Sequence, residues 1–518
     1  MTTPLFRAFP ERAPDGERAL TRGAILILVI VLLSGLTFLV LAGNQPVLFR
    51  HGFRQSQTAI SVYWMLRDGL SLSYATPVLG APWAIPFEFP VYQSLVAAVA
   101  SLGVPLDLSG RLVSFAAAVL CLWPIFSLVR DFGGRTWHAA TCGALFLAAP
   151  VYAFWATSFM IETTALFLGL LFLAAFVRFL STGRWLWAAT AGLAGVLCGL
   201  AKATTLPGFS LAAGLVLCAC LLVSFKGSQS ALPKARLAAS LVPLLLPYPI
   251  AMSWVAYTDK VKALNPLGAS LTSDALKEWN YGTLAQKLSG EFWLRLVPDA
   301  IGWQTFGPLF PLALVVLLGA LIAASRRRRA ALWVGLGLLT CFLVPMLVFT
   351  NLYIQHDYYR VANTVFLTLA VGLGLAFLAK RVGAPLGLVG LGILCSGQVF
   401  FTVILNMPLW SGQFRHPILP VAEAVQEVVP EDAPILVFGH DWNSAIPYYA
   451  ERKALMISSL VSDLVDEIVD DPTQFLDGAA PGGVVICTLG DKPPATKLSP
   501  LLADRAQVFT DDSCSLYR

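Results

Sequence analysis

The sequence predicts a polytopic α-helical membrane protein that carries a small α/β domain at its C-terminal end. Three observations support this class: long apolar runs, few charged residues, and a change in pattern after residue 406. Of the 518 residues, 57% are hydrophobic and 13% are charged. That is too few charges to cover a soluble globule of this size. A bilayer is therefore the expected environment of most of the chain.

Apolar runs of the length that a crossing needs, about 20 residues for about 30 Å of hydrocarbon, recur as far as Asn406. Basic clusters set their direction, because cytoplasmic loops carry an excess of Lys and Arg. If 89–105 were a crossing, Arg130 and Arg135 would lie outside, so we expect it to be a helix on the outer membrane surface. About eleven spans are predicted: 24–42, 109–129, 137–155, 163–181, 186–201, 205–224, 237–256, 304–324, 331–350, 361–379 and 384–406.

The charges divide sharply between two parts of the chain. Residues 1–410 carry 28 Lys and Arg against 14 Asp and Glu, whereas residues 411–518 carry 7 against 16. The basic excess reports orientation in the membrane and not nucleic-acid binding. The run Arg326–Arg329, for example, lies in a very short loop between two apolar runs, which is typical of a cytoplasmic anchor.

This topology predicts a transmembrane domain over 1–406 and an extracytoplasmic domain over 407–518. The protein is expected in the cytoplasmic (inner) membrane, with its N-terminus in the cytoplasm. No small-residue pattern closes the first apolar run, which disfavours a cleaved signal peptide. The polar loops that can carry chemistry lie on the outer face. They are 43–108, 156–162, 202–204, 257–303 and 351–360.

The C-terminal segment alternates strand and helix patterns. Leu419, Ala422, Val425 and Val429 repeat at helical spacing, as do Leu460, Leu464, Val465 and Ile468. Cys487 and Cys514 both fall in this extracytoplasmic segment, so a disulfide is one possibility. The other seven cysteines lie in predicted spans as small core residues. The strand candidates, bounded by turn residues, are ILVFG (435–439), ALMIS (454–458), GVVIC (483–487) and AQVFT (506–510).

Ionisable side chains are absent from the middle of the predicted spans, and this disfavours an ion-coupled transporter. Such a transporter keeps costly charges near mid-membrane because they are needed for function. No half-to-half repeat with broken helices is apparent either. Glu162, Lys202, Asp357 and Arg360 all lie at outer ends of spans.

Six short motifs appear in order along the outer face. Together they resemble the GT-C superfamily of integral-membrane glycosyltransferases, in particular the protein mannosyltransferase-like and aminoarabinose transferase-like branch. The resemblance implies transfer of a sugar from a polyprenyl-phosphate carrier to an acceptor glycan, lipid or protein, with an acidic residue of the first outer loop as general base. The motifs are FRQSQTA (53–59), EFPVYQ (88–93), FMIETT (159–164), LAKATTLPGF (200–209), EWNYGTL (278–284) and QHDYYR (355–360).

The chain departs from the family pattern at one informative position. Related sequences often carry Asp where this chain has Gln57, and an amide cannot accept a proton at neutral pH. Glu88 is then the main candidate for the base, with a structural carboxylate paired to Arg54 as the alternative. Glu162 and Asp357 are the other candidates, although Glu162 also suits the positive end of a helix dipole.

Cations are needed to hold the leaving phosphate, and Arg suits this role because it engages two oxygens at once. The candidates are Arg54, Lys202 and Arg360, and a snorkelling lysine at the membrane edge is the alternative for Lys202. We expect Glu88, Arg54 and Lys202 to share a wet pocket at the outer leaflet. The remaining predicted substrate-binding residues are Gln55, Gln57, Tyr92, His356, Tyr358 and Tyr359, of which the last two are equally suited to an interfacial aromatic role.

Several alternatives stay open at this point. No ligand spacing demands a metal, and we expect catalysis without a metal or another cofactor, with a divalent metal ion as the alternative. Aromatic residues in 257–303 predict amphipathic helices on the outer leaflet. A flippase for polyprenyl glycolipids and an inactive GT-C-like scaffold remain alternative functions, and neither the sugar nor the acceptor can be named.

Overall fold

Most of the chain is α-helix, as the apolar runs predict. The computed structural model describes residues 16–225, 232–412, 415–457, 463–490 and 495–518. The helices as far as residue 262 are α1 (Glu17–Gly43), α2 (Gly52–Asp68), α3 (Val91–Ala100), α4 (Leu106–Leu120), α5 (Leu122–Asp131), α6 (Thr136–Ala148), α7 (Pro150–Trp155), α8 (Glu162–Thr182), α9 (Trp185–Ala201), α10 (Leu206–Phe225), α11 (Lys234–Ala239), α12 (Leu241–Leu245) and α13 (Pro247–Lys262).

The later helices alternate with short 3₁₀ turns at Gly268–Leu271, Gly307–Leu309, Asp357–Arg360 and Pro472–Phe475, and with a π-helical turn at Gly302–Phe306. They are α14 (Lys277–Tyr281), α15 (Leu284–Leu288), α16 (Gly290–Ile301), α17 (Phe310–Arg327), α18 (Arg329–Val348), α19 (Thr350–Gln355), α20 (Val361–Val382), α21 (Ala384–Trp410), α22 (Leu419–Val428), α23 (Ala445–Ala450), α24 (Val465–Asp470) and α25 (Ala495–Leu502).

The multi-pass membrane class is confirmed. Among the described residues, nine helical stretches are long and apolar enough to cross a bilayer, and they match nine of the eleven predicted spans. Of the other two, 137–155 is interrupted, because Ala149 is extended and Pro150 begins a new helix, α7. The other, 186–201, is the 17-residue helix α9. The helix expected within 89–105 is α3, whose 10 residues are too few to cross.

The chain forms two compact units. The first contains Met1–Gly43, Arg111–Met252 and Glu278–Met407, and the second contains Asn44–Gly110, Ser253–Lys277 and Pro408–Arg518. The predicted C-terminal domain thus belongs to the same unit as much of the first outer loop. The predicted boundary between residues 406 and 407 stays a prediction.

Two helices form the centre of the first unit. In their apolar windows, 83% of α8 and 78% of the stretch that contains α20 are buried, against 22% for α18. Helices α8 and α9 pack closely where α9 carries Gly195. A Cβ atom at this position would lie only 3.1 Å from Cδ2 of Phe172 in α8, so a larger residue would crowd the contact. Glu162 begins α8, and the turn Asp357–Arg360 leads into α20. Glu162 and the Asp357–Arg360 turn are therefore held by these two buried helices.

The second unit contains a five-stranded sheet. Its strands are β1 (Ile435–Phe438), β2 (Ala454–Ile457), β3 (Gly483–Cys487), β4 (Gln507–Thr510) and β5 (Cys514–Tyr517), in the order β2-β1-β3-β5-β4. β1 runs parallel to β2 and β3, whereas β5 runs antiparallel to β3 and β4. The small α/β domain and its four predicted strands are confirmed, and β5 is an additional strand.

The sheet domain contains a disulfide and two helices at positions that the sequence suggested. Cys487 and Cys514 are register partners on β3 and β5 and form a disulfide. The two predicted helical runs correspond to α22 and α24. Leu460, at the start of the second run, lies outside the described residues.

The edge strand β2 is covered by a segment of the first outer loop. The amide of Ala454 donates to the carbonyl of Pro77 (2.9 Å), the amide of Met456 donates to Val78 (2.9 Å), and the amide of Gly80 donates to Ala454 (3.1 Å). An exposed edge offers unpaired N–H and C=O groups, and these bonds satisfy them. The loop therefore folds as part of the sheet domain.

Candidate active site

An ion pair joins the two polar motifs of the first outer loop. Nη2 of Arg54, in the first turn of α2, donates to Oε1 of Glu88, and Nη1 of the same guanidinium donates to Oε1 of Gln57. The Arg54 and Glu88 side chains are 14% and 22% exposed, so solvent still reaches the pair. The structure thus brings together Arg54, Gln57 and Glu88, which are all predicted site residues. The pairing itself is the alternative that we considered for Glu88.

Local backbone geometry explains why Arg54 points at Glu88. Arg50 and His51, in the turn directly before α2, both have positive φ, 45° and 43°, in the left-handed region that few non-glycine residues adopt. Nε2 of Gln55 donates to the carbonyls of Phe49 (2.8 Å) and Arg50 (3.0 Å) and so fixes this turn. Gln55, predicted to bind substrate, is in this structure a buried clamp on the backbone.

The backbone of Glu88 is held by a buried tyrosine. The Tyr74 hydroxyl donates to the carbonyl of Glu88 (2.8 Å) and accepts from the amide of Phe87 (2.8 Å). Burial, together with the nearby Glu88 charge, raises the pKa of Tyr74, so the hydroxyl keeps its proton and its donor role. Nε1 of Trp254 donates to the carbonyl of Phe87 (3.1 Å). These contacts fix the position of the Glu88 carboxylate.

A second charged cluster lies in the first unit, at the beginning of α8. Nζ of Lys202, at the C-terminal end of α9, donates to Oε1 of Glu162. The side chains are 7% and 2% exposed, and Oε2 of Glu162 has no hydrogen-bond partner among the described residues. A snorkelling lysine keeps its ammonium in water, so this burial does not fit that alternative. A buried charge pair with an unused oxygen is a costly arrangement.

Two tyrosines of the QHDYYR motif cover this ammonium. Nζ of Lys202 lies 4.8 Å from the ring centroid of Tyr358 and 4.2 Å from that of Tyr359, within cation–π range. The ring of His356 stacks on Tyr358 with centroids 5.1 Å apart. The structure therefore brings Glu162, Lys202, Tyr358 and Tyr359 together.

Arg360 has a partner that the sequence does not indicate. Nη1 of Arg360 donates to Oδ2 of Asp299 on α16, and Nη2 donates to the carbonyl of Tyr353 (3.1 Å). Arg360 is buried, whereas the Asp299 side chain is 40% exposed. Burial raises the pKa of the Tyr353 phenol despite the nearby Arg360 charge. This pair fixes the turn that carries the QHDYYR motif.

The long loop predicted over 257–303 folds into short helices, α14, α15 and α16. Nδ2 of Asn351 donates to the carbonyl of Trp279 (2.9 Å), and the Trp279 ring lies 6.1 Å from that of His356. Nζ of Lys287 donates to the carbonyl of Leu347 (2.9 Å). The EWNYGTL segment therefore packs beside the QHDYYR motif.

Other buried polar contacts of the two units escape local sequence patterns. Nη1 of Arg111 on α4 donates to the carbonyl of Thr157 (2.8 Å) and is buried. Asp299 and Trp442 likewise act through contacts distant in sequence. Tyr92, predicted to bind substrate, is buried and donates to the carbonyl of Gly110 (2.9 Å). The pocket expected to join Glu88, Arg54 and Lys202 stays a prediction, since Lys202 belongs to the first unit.

Histidine, cysteine and carboxylate side chains in the described ranges form no group of three or more that could hold a metal ion. The prediction of a reaction without a metal stays a prediction. Activity after treatment with EDTA is the measurement that checks it.

Long apolar helices, charged residues at helix ends and a small α/β domain after the last span together define the class: this is a multi-pass membrane protein with the GT-C fold. The solved structures bear this out. ArnT, an aminoarabinose transferase from Cupriavidus metallidurans bound to undecaprenyl phosphate, is 16% identical, with a TM-score of 0.62 over 95% of this chain and 97% of that chain. Its apo state gives 17% identity and the same TM-score over 96% and 98%.

A more distant likeness is to the archaeal oligosaccharyltransferase AglB from Archaeoglobus fulgidus in complex with an inhibitory peptide and a dolichol-phosphate. It is 10% identical, with a TM-score of 0.50 over 90% of this chain and 69% of that chain. No protein-family model matches the chain, and no curated protein matches it in sequence. The predicted resemblance to the GT-C superfamily is confirmed at the level of the fold.

Proposed function

We propose that this protein is a glycosyltransferase that moves a sugar from a polyprenyl-phosphate carrier to an acceptor glycan, lipid or protein. The observation that carries the proposal is the full-length agreement of fold with ArnT, over 95% of this chain and 97% of that one. The ArnT structure holds undecaprenyl phosphate and the AglB structure holds a dolichol-phosphate. A carrier of this chemical class suits a chain whose charged clusters lie at the ends of apolar helices.

The reaction would take place on the outer face of the cytoplasmic membrane. The distribution of Lys and Arg supports this orientation, since the basic clusters fall in loops that the positive-inside rule assigns to the cytoplasm. The N-terminus would then be cytoplasmic and the sheet domain extracytoplasmic. Labelling of introduced cysteines with a membrane-impermeant maleimide would test this orientation.

Glu88 is the proposed proton acceptor. An acceptor hydroxyl or amine attacks the anomeric carbon, the bond from that carbon to the phosphate oxygen breaks, and the proton of the attacking group passes to the carboxylate. Products are the glycosylated acceptor and the polyprenyl phosphate. Because Glu88 is paired with Arg54 in the resting structure, the base must first be freed.

Arg54 supplies a means to free the carboxylate. A guanidinium can exchange one oxyanion for another, and a phosphate offers two oxygens in the geometry that Arg prefers. Arrival of the carrier phosphate would draw Arg54 away from Glu88 and leave the carboxylate able to accept a proton. Gln57 accepts from the other arm of the same guanidinium and would hold it during the exchange.

The charged cluster around Glu162 and Lys202 in the first unit is also proposed to take part in the reaction. Lys202 and Arg360 are proposed phosphate-binding cations, with Tyr358, Tyr359 and His356 as surrounding contacts. Glu162 and Asp357 are the alternative proton acceptors. A phosphate that displaced Glu162 from Lys202 would find a site already lined by two tyrosine rings. Whether a hexose or a pentose is moved is part of the proposal that substrate assays must decide.

The test is an assay of purified protein with radiolabelled undecaprenyl-phosphate sugars that include 4-amino-arabinose, glucose and mannose. We expect one of these donors to lose its label to water or to an acceptor. Matched variants Glu88→Gln, Glu162→Gln and Asp357→Asn identify the base. Intact donor in every reaction, with protein shown to be folded, would contradict the proposal.

A further inference from the structure

Three aromatic side chains of the second unit contact one another next to the Arg54–Glu88 pair, and the guanidinium carbon of Arg54 lies 6.0 Å from the ring centroid of one of them, Phe87. Phe53 and Phe87 each neighbour a member of the pair in sequence, and both contact Trp442 of the sheet domain. The ring centroids of Phe53 and Trp442 lie 4.7 Å apart with the planes at 80°, and those of Phe87 and Trp442 lie 6.4 Å apart at 31°. All three side chains are half-buried. We define them as the aromatic triad.

Trp442 lies at the position of the sheet where ligands commonly bind. It belongs to the loop after β1, and β2 and β3 pair with opposite sides of β1, both in parallel. In open α/β sheets, such a switch point at the carboxyl ends of parallel strands is the usual ligand crevice. Asp441, directly before Trp442, adopts φ of 48° without being glycine, and strain of this kind concentrates at functional sites.

A buried polar atom in the same loop also suggests a ligand. His440 is 8% exposed, and its Nε2 has no hydrogen-bond partner among the described residues. Buried side-chain nitrogens are rarely left without a partner in a folded protein. The loop therefore combines a half-exposed indole, a strained backbone and an unused hydrogen-bonding atom.

The sheet domain is held firmly enough to make Trp442 a fixed part of this cluster. Oδ2 of Asp107 accepts from the Tyr449 hydroxyl (2.8 Å), and the same hydroxyl accepts from the amide of Val47 (2.8 Å). The hydroxyl of Tyr63 on α2 donates to Oε2 of Glu451 (3.1 Å). These bonds tie α2 and its flanking residues to the helix that follows the Trp442 loop.

We propose that the aromatic triad is a sugar-ring subsite beside Glu88, and that Trp442 is the binding residue contributed by the C-terminal domain. Sugar rings have apolar C–H faces that pack on aromatic rings, while their hydroxyls bond to nearby polar groups. Arg54, Glu88 and His440 supply such groups. This inference rests on the proposed function, because it assigns a place to the ring of that reaction's donor or acceptor.

The test compares three variants of the full-length protein. Trp442→Phe keeps an aromatic face, Trp442→Leu keeps apolar packing without one, and Trp83→Leu is the matched control, since Trp83 is a half-buried tryptophan of the same unit that faces Lys453. With the donor that wild type turns over, we expect Trp442→Leu to raise the KM by about five- to tenfold. Trp442→Phe and Trp83→Leu should stay within about threefold of wild type.

Two versions of the assay show whether the bound sugar ring belongs to the donor or to the acceptor. A higher KM in donor hydrolysis without acceptor assigns the subsite to the donor sugar, and a higher KM for the acceptor alone assigns it to the acceptor. Equal KM values for Trp442→Leu and wild type would overturn the proposal. Equal losses in the Leu and Phe variants would also overturn it, because they would indicate a packing role.

A binding measurement separates this inference from the proposed function. Saturation-transfer NMR with methyl glycosides of the same sugars reports ring contact without any turnover. We expect the signal in wild type and Trp442→Phe and its loss in Trp442→Leu. A signal that persists in Trp442→Leu would overturn the subsite even if transfer is confirmed, and its selective loss would support the subsite even if no transfer is found.

Discussion

Replacing Glu88 by glutamine removes one negative charge and one proton acceptor while keeping the size of the side chain. The Arg54–Glu88 pair is partly exposed, at 14% and 22% of the side chains, so water already weakens its Coulomb attraction. The glutamine oxygen can still accept from Arg54, and Gln57 remains its second acceptor. We therefore expect a stability loss of no more than about 1 kcal/mol.

The effect on the rate should be much larger than the effect on stability. Loss of a general base costs about 10²- to 10⁴-fold, or about 3 to 5 kcal/mol of transition-state stabilisation. The assay is the initial rate of label transfer from the undecaprenyl-phosphate sugar, at saturating donor, in protein that elutes as a single species. Thermal unfolding of the same samples reports the stability.

Glu431→Gln is the matched control for this experiment. It makes the same chemical change in the same unit, at a salt bridge between Glu431 and Arg67. The Glu431 side chain is 64% exposed. Its rate should equal that of wild type. If Glu88→Gln keeps more than about a tenth of the wild-type rate, against the 10²-fold minimum above, Glu88 is not the base. A loss confined to Glu162→Gln would then move that role to the first unit.

Lys202→Met should destabilise the protein by about 3 to 5 kcal/mol, because it leaves the Glu162 carboxylate buried and unpaired. Adding Glu162→Gln to this variant should restore the unfolding temperature but not the transfer activity. Reducing the Cys487–Cys514 disulfide, whose cysteines are 27 residues apart, should lower the free energy of unfolding by about 3.5 kcal/mol, which thermal unfolding would report. Burial lowers the pKa of His440 to about 4, below its unfolded value of about 6.5. Unfolded His440 therefore binds protons more readily, so stability should fall as the pH drops from about 6.5 to 4, and His440→Gln should flatten this dependence in pH-dependent unfolding.

Each of these expectations has a clear contrary result. Recovery of activity in the Lys202→Met, Glu162→Gln double variant would show that Lys202 serves packing and not phosphate binding. An unchanged unfolding temperature after reduction would show that the disulfide contributes little to the sheet domain. A wild-type stability profile that matches His440→Gln between pH 4 and 6.5 would place the acid sensitivity elsewhere.

The class of fold could be predicted because it depends on local signals. Apolar runs of sufficient length identify spans whatever the helices contact, and short β-rich runs such as 435–438 identify strands. The interruption of 137–155 was missed because an apolar run continues through Pro150 although the helix does not. The final strand, Cys514–Tyr517, was missed because it is short and its alternation is brief.

The candidate sites were predicted less completely, since their contacts join distant parts of the chain. The motifs drew attention to Arg54, Glu88, Glu162 and Lys202, because charges near the ends of apolar runs stand out, and the structure pairs Arg54 with Glu88 and Lys202 with Glu162. The partner of Arg360 did not stand out, because Asp299 lies among other charged residues of the 257–303 segment and no local pattern links it to Arg360. The same holds for Trp442, which lies 389 positions after Phe53 in the sequence, so that no local pattern could link the two rings.

The central claim is that this protein cleaves the bond between a sugar and a polyprenyl phosphate. The most direct measurement reconstitutes it in lipid vesicles with doubly labelled donor, with one label on the sugar and one on the undecaprenyl phosphate. The account predicts one undecaprenyl phosphate released for each sugar transferred or hydrolysed, and a release rate at least about 10²-fold lower with Glu88→Gln. Movement of intact donor between leaflets, with both labels still joined, would contradict the claim and identify a transporter.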